Sequence, residues 1–157
     1  MKITLDIVDR KILNLLQEDG SLSIADLSHK LKMTPPPCWR RVRRLRDAGV
    51  LQRQVWLVNP AAIGLNTFIY AAVRLVTHDQ QAVVRFRERI KDWPEVLECY
   101  VLLGATDVLV KVVVRDIQYY EEFFFKKLSQ LPGVREVNSS VVMSEIKKTS
   151  SLPIYGS

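Results

Sequence analysis

The 157-residue sequence predicts an α+β chain in two parts: three short helices up to about residue 58, then alternating strands and helices from about residue 67. Three observations support this. Apolar residues recur at helical spacing in the first third and in strand-like runs separated by helical stretches afterwards. Gly and Pro cut the chain at regular intervals. Positive charge is concentrated at one end: residues 1–57 hold 11 Lys and Arg against 6 Asp and Glu, whereas residues 58–157 hold 12 against 11. That asymmetry predicts a polyanion-binding module joined to a nearly neutral one.

The first helix is expected over residues 6–19. Ile7, Ile12, Leu15 and Leu16 follow helical spacing, Leu5, Val8 and Leu13 widen the apolar face, and Gly20 stops it. Ser23, with Asp26 three residues on, caps a second helix whose apolar positions are Ile24, Leu27 and Leu31. Lys32 and Met33 form a short turn. Thr34 is expected to cap a third helix entered through Pro35, Pro36 and Pro37. Prolines lose little there, because the first turn of a helix has no intrahelical use for its N–H groups. Its apolar stripe is Cys38, Val42 and Leu45, and Gly49 ends it. Residues 50–58 read as a β segment, a hairpin or wing. Asn59-Pro60 and Gly64 mark a linker over residues 59–66.

The second part predicts strands over 68–76, 96–103, 108–114 and 137–146, with helices over 80–92 and 117–131 and a tail over 151–157. The order β-α-β-β-α-β is the ferredoxin-like split unit, here spanning residues 67–150. Three short helices with a tight turn before the third describe a helix-turn-helix, so residues 1–58 are expected to be a winged helix-turn-helix domain.

In that motif the third helix enters the major groove, leading end first. Arg40, Arg41, Arg43, Arg44 and Arg46 provide five planar donors within seven residues, suited to phosphate clamping and to bidentate reading of guanine. A solvated helix face usually mixes signs, yet no acid follows until Asp47. Double-stranded DNA is therefore the expected partner. The expected contacts are Ser23, Thr34, Pro35, Pro36, Trp39, Arg40, Arg41, Arg43, Arg44 and Arg46. Thr34, Pro36, Trp39, Arg40 and Arg43 at the leading end are the candidates for the groove, and Arg41, Arg44 and Arg46 for phosphates. Trp39 could pack on DNA or close the domain core or wing; the sequence leaves both open.

A second constellation is Tyr100-Val101-Leu102-Leu103-Gly104-Ala105-Thr106-Asp107. Backbone N–H groups at the Gly turn could hold a carboxylate while Asp107 holds an ammonium, the two ends of an α-amino acid. From spacing alone, a plain turn is the simpler reading.

The remaining features exclude classes. The longest apolar runs fall far short of the ~20 residues needed to span a bilayer, so no membrane partner is expected. The opening Met1-Lys2-Ile3-Thr4-Leu5-Asp6 is no secretory leader, so a cytoplasmic location is expected. Cys38 and Cys99 form no CxxC pair and read as free, buried thiols. With His29 and His78 far apart, and both expected at the surface, no metal site is expected. No nucleophile elbow, phosphate loop or paired-carboxylate motif appears, so neither catalysis nor a cofactor is expected. Tyr119, Tyr120, Phe123, Phe124 and Phe125 predict a helix buried on several faces, either at a subunit interface or in one thick core.

The chain resembles the Lrp/AsnC family of bacterial and archaeal regulators along nearly its whole length. The resemblance lies in Leu5-Asp6-x-x-Asp9-Arg10-Lys11-Ile12-Leu13, Pro37-Cys38-Trp39-Arg40-Arg41, Leu45-x-x-Ala48-Gly49-Val50, Asn59-Pro60, Pro94-Glu95-Val96, Gly104-x-x-Asp107, Leu131-Pro132-Gly133-Val134, Ser139-Ser140 and Ile146-Lys147-x-Thr149-x-x-Leu152-Pro153. It implies a DNA-binding regulator whose C-terminal domain dimerises and assembles further to tetramers or octamers. It also implies that a small molecule, an amino acid or related metabolite, binds between dimers at Gly104, Ala105, Thr106 and Asp107, with Tyr100 and Leu102 on one side and Ser139 and Ser140 from a neighbouring subunit. The chain departs from the family pattern at Lys32, where Gly or Asn is common in the turn. It also has Leu103, Ala105 and Val108 where Thr, Glu and Tyr are usual, which makes the site more apolar. Chains of this type also occur among siroheme decarboxylases, whose chemistry calls for further histidines; His78 is the one in that half.

Overall fold

The structure, a computed structural model, describes residues 3–76 and 80–154. It forms two compact units. One comprises the residues up to Leu57 together with those from Lys147 onward, the other Val58–Ile146.

The first unit is built on three helices: α1 (Ile7–Glu18), α2 (Ile24–Lys30) and α3 (Pro35–Asp47). Ile12, Leu13, Leu27, Cys38, Val42 and Leu45 make its core. Capping boxes start α1, from Asp6 and Asp9, and α2, from Ser23 and Asp26. Between α2 and α3, Lys32 holds φ at 53°. This is the left-handed region, which costs a residue with a Cβ about 1–2 kcal/mol and explains why the family prefers Gly or Asn there.

Thr34 occupies the position preceding α3, but its side chain makes no capping hydrogen bond. The expected cap fails for a chemical reason. A capping hydroxyl accepts from the N–H of the second or third helical residue, and here those residues are Pro36 and Pro37, which have none. The other end of α3 closes conventionally: Gly49 (φ 72°) donates to Arg46 O and Val50 N to Leu45 O, both at 2.9 Å.

The expected β segment over residues 50–58 forms no strand ladder among the described residues. Val55, Trp56, Leu57 and Val58 are all exposed, and an extended segment without a partner strand has nothing to bond to. Past Ile146 the chain returns to the first unit. Leu152 N donates to Gln17 Oε1 (2.7 Å), Gln17 Nε2 donates back to Leu152 O (3.2 Å), and Ile154 packs on the helical core.

The second unit holds β1 (Thr67–Leu75), α4 (Gln80–Ile90), β2 (Val96–Val101), β3 (Val108–Val114), α5 (Ile117–Lys126) and β4 (Val134–Val141). The sheet order is β2-β3-β1-β4 with antiparallel neighbours, the ferredoxin-like arrangement expected. Ile69, Ala71, Val73, Val108, Val110, Val112 and Val114 face Phe86, Ile90, Tyr120, Phe123 and Leu128 in one core. β4 begins and ends earlier than the apolar pattern suggested, because among the described residues β1 is the strand that pairs with it. Pairing runs from Leu75↔Val134 to Ile69↔Val141, and beyond Phe68 no partner continues. α5 also stops short, giving way to a 3-10 turn at Leu128–Gln130. Its aromatic residues mostly join the core: Tyr120 and Phe123 are buried, Tyr119 and Phe124 pack beside them, and Phe125 is exposed. Cys38 is buried as expected, whereas Cys99, on edge strand β2, is exposed. His29 is exposed, and His78 lies outside the described residues.

Candidate nucleic-acid interface and effector turn

The five arginines of α3 divide into two rows. Asp9 on α1 is fully buried, a position that requires its charge to be matched. Arg41 Nη1 donates to Asp9 Oδ1 (2.9 Å) and to Asp6 Oδ2 (2.5 Å), and Arg44 Nη2 donates to Asp9 Oδ2. These two arginines therefore fasten α3 to α1. They were expected on DNA phosphates; in the structure their hydrogen bonds go to the Asp6 and Asp9 carboxylates. The Asp9 N–H holds the Asp6 carboxyl below the usual carboxylate range, helped by the Arg41 hydrogen bond.

Arg40, Arg43 and Arg46 are exposed on α3, as is Arg44, whose side chain is 49% exposed despite its bond to Asp9. Arg40 and Arg46 make no ion pair among the described residues. Arg43 reaches Asp47 only loosely, at 3.7 Å, and lies over the Trp39 ring at 5.2 Å. Trp39 is 48% exposed and is not among the residues packed in the helical core. Thr34, Pro35 and Pro36 are exposed at the leading end. Ser23 is exposed as well, but its hydroxyl is engaged with Asp26 at 2.5 Å. The outward face of α3 thus offers Thr34, Pro36, Trp39, Arg40, Arg43 and Arg46.

The Gly104 turn joins β2 to β3, and Gly104 adopts φ 156°, where side chains are rarely tolerated. Asp107 extends the β1–β3 pairing by two bonds. Its N–H donates to Val73 O (3.2 Å), and its Oδ2 accepts from Leu75 N (2.8 Å) at the point where the β1–β4 register shifts. Ala105 O accepts from Arg74 Nε (2.9 Å), and Thr106 is half-buried. Asp107 and Leu102 also line a cleft of about 220 Å3 with Arg87, Cys99, Val101 and Phe86.

Tyr100 lies on the opposite face of β2 from Cys99. There its hydroxyl donates to Glu98 Oε2 (3.0 Å), beside the Lys111–Glu98 pair (2.9 Å). Ser139 and Ser140 are on the far edge strand, β4, and being adjacent they face opposite sides of the sheet. Ser140 pairs across to Tyr70, while the Ser139 hydroxyl is 2.6 Å from Tyr120 OH on the helix side. Within one chain these serines do not join the Gly104 turn.

Sequence reasoning missed the Asp6–Asp9 clasp. The spacing signals a helix cap, but nothing local signals arginines some 35 positions away. It also missed Glu95, a buried carboxylate whose Oε1 accepts from Lys127 Nζ (2.7 Å) and Tyr119 OH (3.1 Å). Among the described residues no group of three or more His, Cys, Asp or Glu could hold a metal, and no helix is long and apolar enough to cross a membrane.

A basic helix displayed on a three-helix domain, joined to a separate βαββαβ domain with clefts at its edges, defines the class: a DNA-binding regulator with a sensing domain. Comparisons with known proteins carry this to a family. Residues 5–52 match the winged helix-turn-helix DNA-binding model, and residues 69–152 match the Lrp/AsnC ligand binding domain. The chain is 39% identical over 150 residues to the DNA-binding transcriptional activator DecR of Escherichia coli K12, covering 96% of this chain and 99% of that one. It is 36% identical over 154 residues to the transcriptional regulator AzlB of Bacillus subtilis, covering 98% of each. A transcriptional regulator of Neisseria meningitidis, solved in complex with L-Met, superposes with a TM-score of 0.92 at 37% identity, covering 96% of this chain and 97% of that one. The chain belongs to the Lrp/AsnC family of transcriptional regulators.

Proposed function

We propose that this regulator reads operator DNA through the outward row of α3 and responds to an amino acid bound by its C-terminal domain. The observation that carries the DNA reading is the division of the arginines. Arg41 and Arg44 are bound to Asp6 and Asp9, which leaves Thr34, Trp39, Arg40, Arg43 and Arg46 as the groove-facing set. The three prolines at the start of α3 remove the backbone donors with which a helix N-terminus usually grips phosphate, so these side chains must supply the polar contacts.

Three observations support an amino-acid effector: the L-Met complex of the Neisseria relative, the family's ligand-binding domain, and the Gly104–Asp107 turn beside the 220 Å3 cleft. One Asp107 oxygen is committed to Leu75 N. The effector role therefore falls to its other oxygen, with Leu102, Gly104, Ala105 and Thr106 around it and Tyr100 and Ser140 contributed through assembly. Exposed Tyr100, Val101, Leu102 and fully exposed Leu103 support association of chains, first to dimers and then to tetramers or octamers. A dimer would place two α3 helices on half-sites about one helical turn apart or a multiple of it. A regulator meeting its operator this way works in the cytoplasm.

The experiment is operator selection from a randomised duplex library, followed by binding measurements on single-base variants. Arg40→Ala and Arg43→Ala should each weaken operator binding by about 1–3 kcal/mol and relax preference at one base pair. Unchanged affinity and preference in the double variant would exclude this face as the reader.

A further inference from the structure

Glu95 poses a problem that the DNA-binding reading does not address. It is more than nine-tenths buried, at 8% exposure. Burial alone would raise its pKa, yet the Lys127 hydrogen bond, its own backbone N–H and the Lys127 charge bring it below the ordinary value, so the group is a carboxylate. Its Oε1 takes both side-chain donors, from Lys127 and Tyr119, while Oε2 is buried with no hydrogen-bond partner. A buried acceptor left bare costs about 1–3 kcal/mol, more when charged, and native proteins keep few of them.

Glu95 also lines a cleft of about 250 Å3, walled by Leu65, Pro94, Val113 and Val114 and by the Tyr119 ring. Arg115 lines the same cleft. Its guanidinium lies over Tyr119 at 5.0 Å, and its Nε meets Asp116 at 3.3 Å. An apolar cleft with an acceptor lacking a donor and one planar cation has the polarity of a site for a small zwitterion. Its volume, below the ~300 Å3 at which pockets for drug-sized ligands begin, suits a single amino acid.

We propose that this cleft is a second small-molecule site, separate from the Gly104–Asp107 turn, that binds an apolar α-amino acid with its ammonium on Glu95, its carboxylate on Arg115 and its side chain against Leu65, Pro94 and Val113. The ammonium would share the Glu95 carboxylate with Lys127, and the ligand's own carboxylate on Arg115 keeps the bound molecule neutral overall. The proposal does not depend on the reading of the Gly104 turn.

The test is calorimetric titration of the full chain with L-methionine, for wild type and for Arg115→Ala, Glu95→Gln and Asp107→Ala. Arg115 is exposed, so its variant should fold; circular dichroism checks all three. The expected result is a class of sites weakened at least tenfold by Arg115→Ala, as loss of a charge-assisted carboxylate contact implies. Glu95→Gln should weaken the same class, and Asp107→Ala should leave it intact. If that class is present but Asp107→Ala changes nothing at all, the Gly104 reading fails and this one stands. The proposal is overturned if L-methionine does not bind, if all binding is lost in Asp107→Ala, or if Arg115→Ala titrates like wild type.

Discussion

Asp9 and Glu95 are the buried carboxylates among the described residues, and their surroundings differ. Asp9 has donors on both oxygens: Oδ1 accepts from Arg41, and Oδ2 accepts from Arg44 and from the Asp6 N–H at 3.1 Å. Glu95 is satisfied on one oxygen and bare on the other. A buried charge with donors on both oxygens locks two elements together. A half-satisfied one carries a standing cost that an incoming donor can remove. The contrast matches the division of labour between the two units: a helix held rigidly for presentation to DNA, and a sheet domain with clefts for small molecules.

The largest expected effect tests the Asp9 side. Asp9→Ala removes the buried acceptor shared by Arg41, Arg44 and the Asp6 N–H, while the arginines left behind still reach solvent, so the loss should be about 1–3 kcal/mol. Denaturant unfolding followed by far-ultraviolet circular dichroism would measure it. A loss within about 1 kcal/mol would mean that the clasp is dispensable.

Lys32→Gly should act in the opposite direction. Relieving the left-handed strain stabilises the first unit by up to about 1 kcal/mol, part of the gain being offset by the freer unfolded chain. The same unfolding curve reports it, and a midpoint below wild type would show that Lys32 contributes something beyond its backbone.

The smallest effect concerns pH. Asp6 is held below its ordinary value of 3.8 in the folded chain. Its contribution is therefore fully present above that value and is lost as pH falls through the lower, folded pKa. The stability gap between wild type and Asp6→Asn should be open at pH 7 and narrow towards pH 3, as measured by thermal melts. A gap independent of pH would place the Asp6 contribution in helix capping alone.

How legible these features were in the sequence follows from their range. Periodicity and caps revealed α1, α2 and α3, because Ile12, Leu27, Cys38, Val42 and Leu45 repeat at local spacings and Ser23 caps from three residues away. The order of the strands was equally plain. The ends of β4 were not, because they are set by its pairing with β1, 59 to 72 positions away. Thr34 makes no cap although its residue type favours one, because Pro36 and Pro37 have no N–H to donate. Arg41 and Arg44 were set apart from Arg40 and Arg43 only as phosphate contacts, because charge along a helix does not reveal which row meets a distant carboxylate. The bare Glu95 oxygen could not be read at all, since it depends on Lys127 and Tyr119 both choosing the same side of one carboxylate.

The central claim is that one basic helix carries two functions: the outward arginines meet DNA and the inward pair holds the domain together. The most direct measurement is the salt dependence of operator binding for Arg46→Ala and Arg41→Ala, each paired with its unfolding free energy. The outward variant should lower the slope of log K against log salt by about one unit and leave stability within ~0.5 kcal/mol, as surface substitutions do. The inward variant should lose stability and keep the slope. If Arg41→Ala lowers the slope while Arg46→Ala does not, the two rows have been assigned the wrong way round.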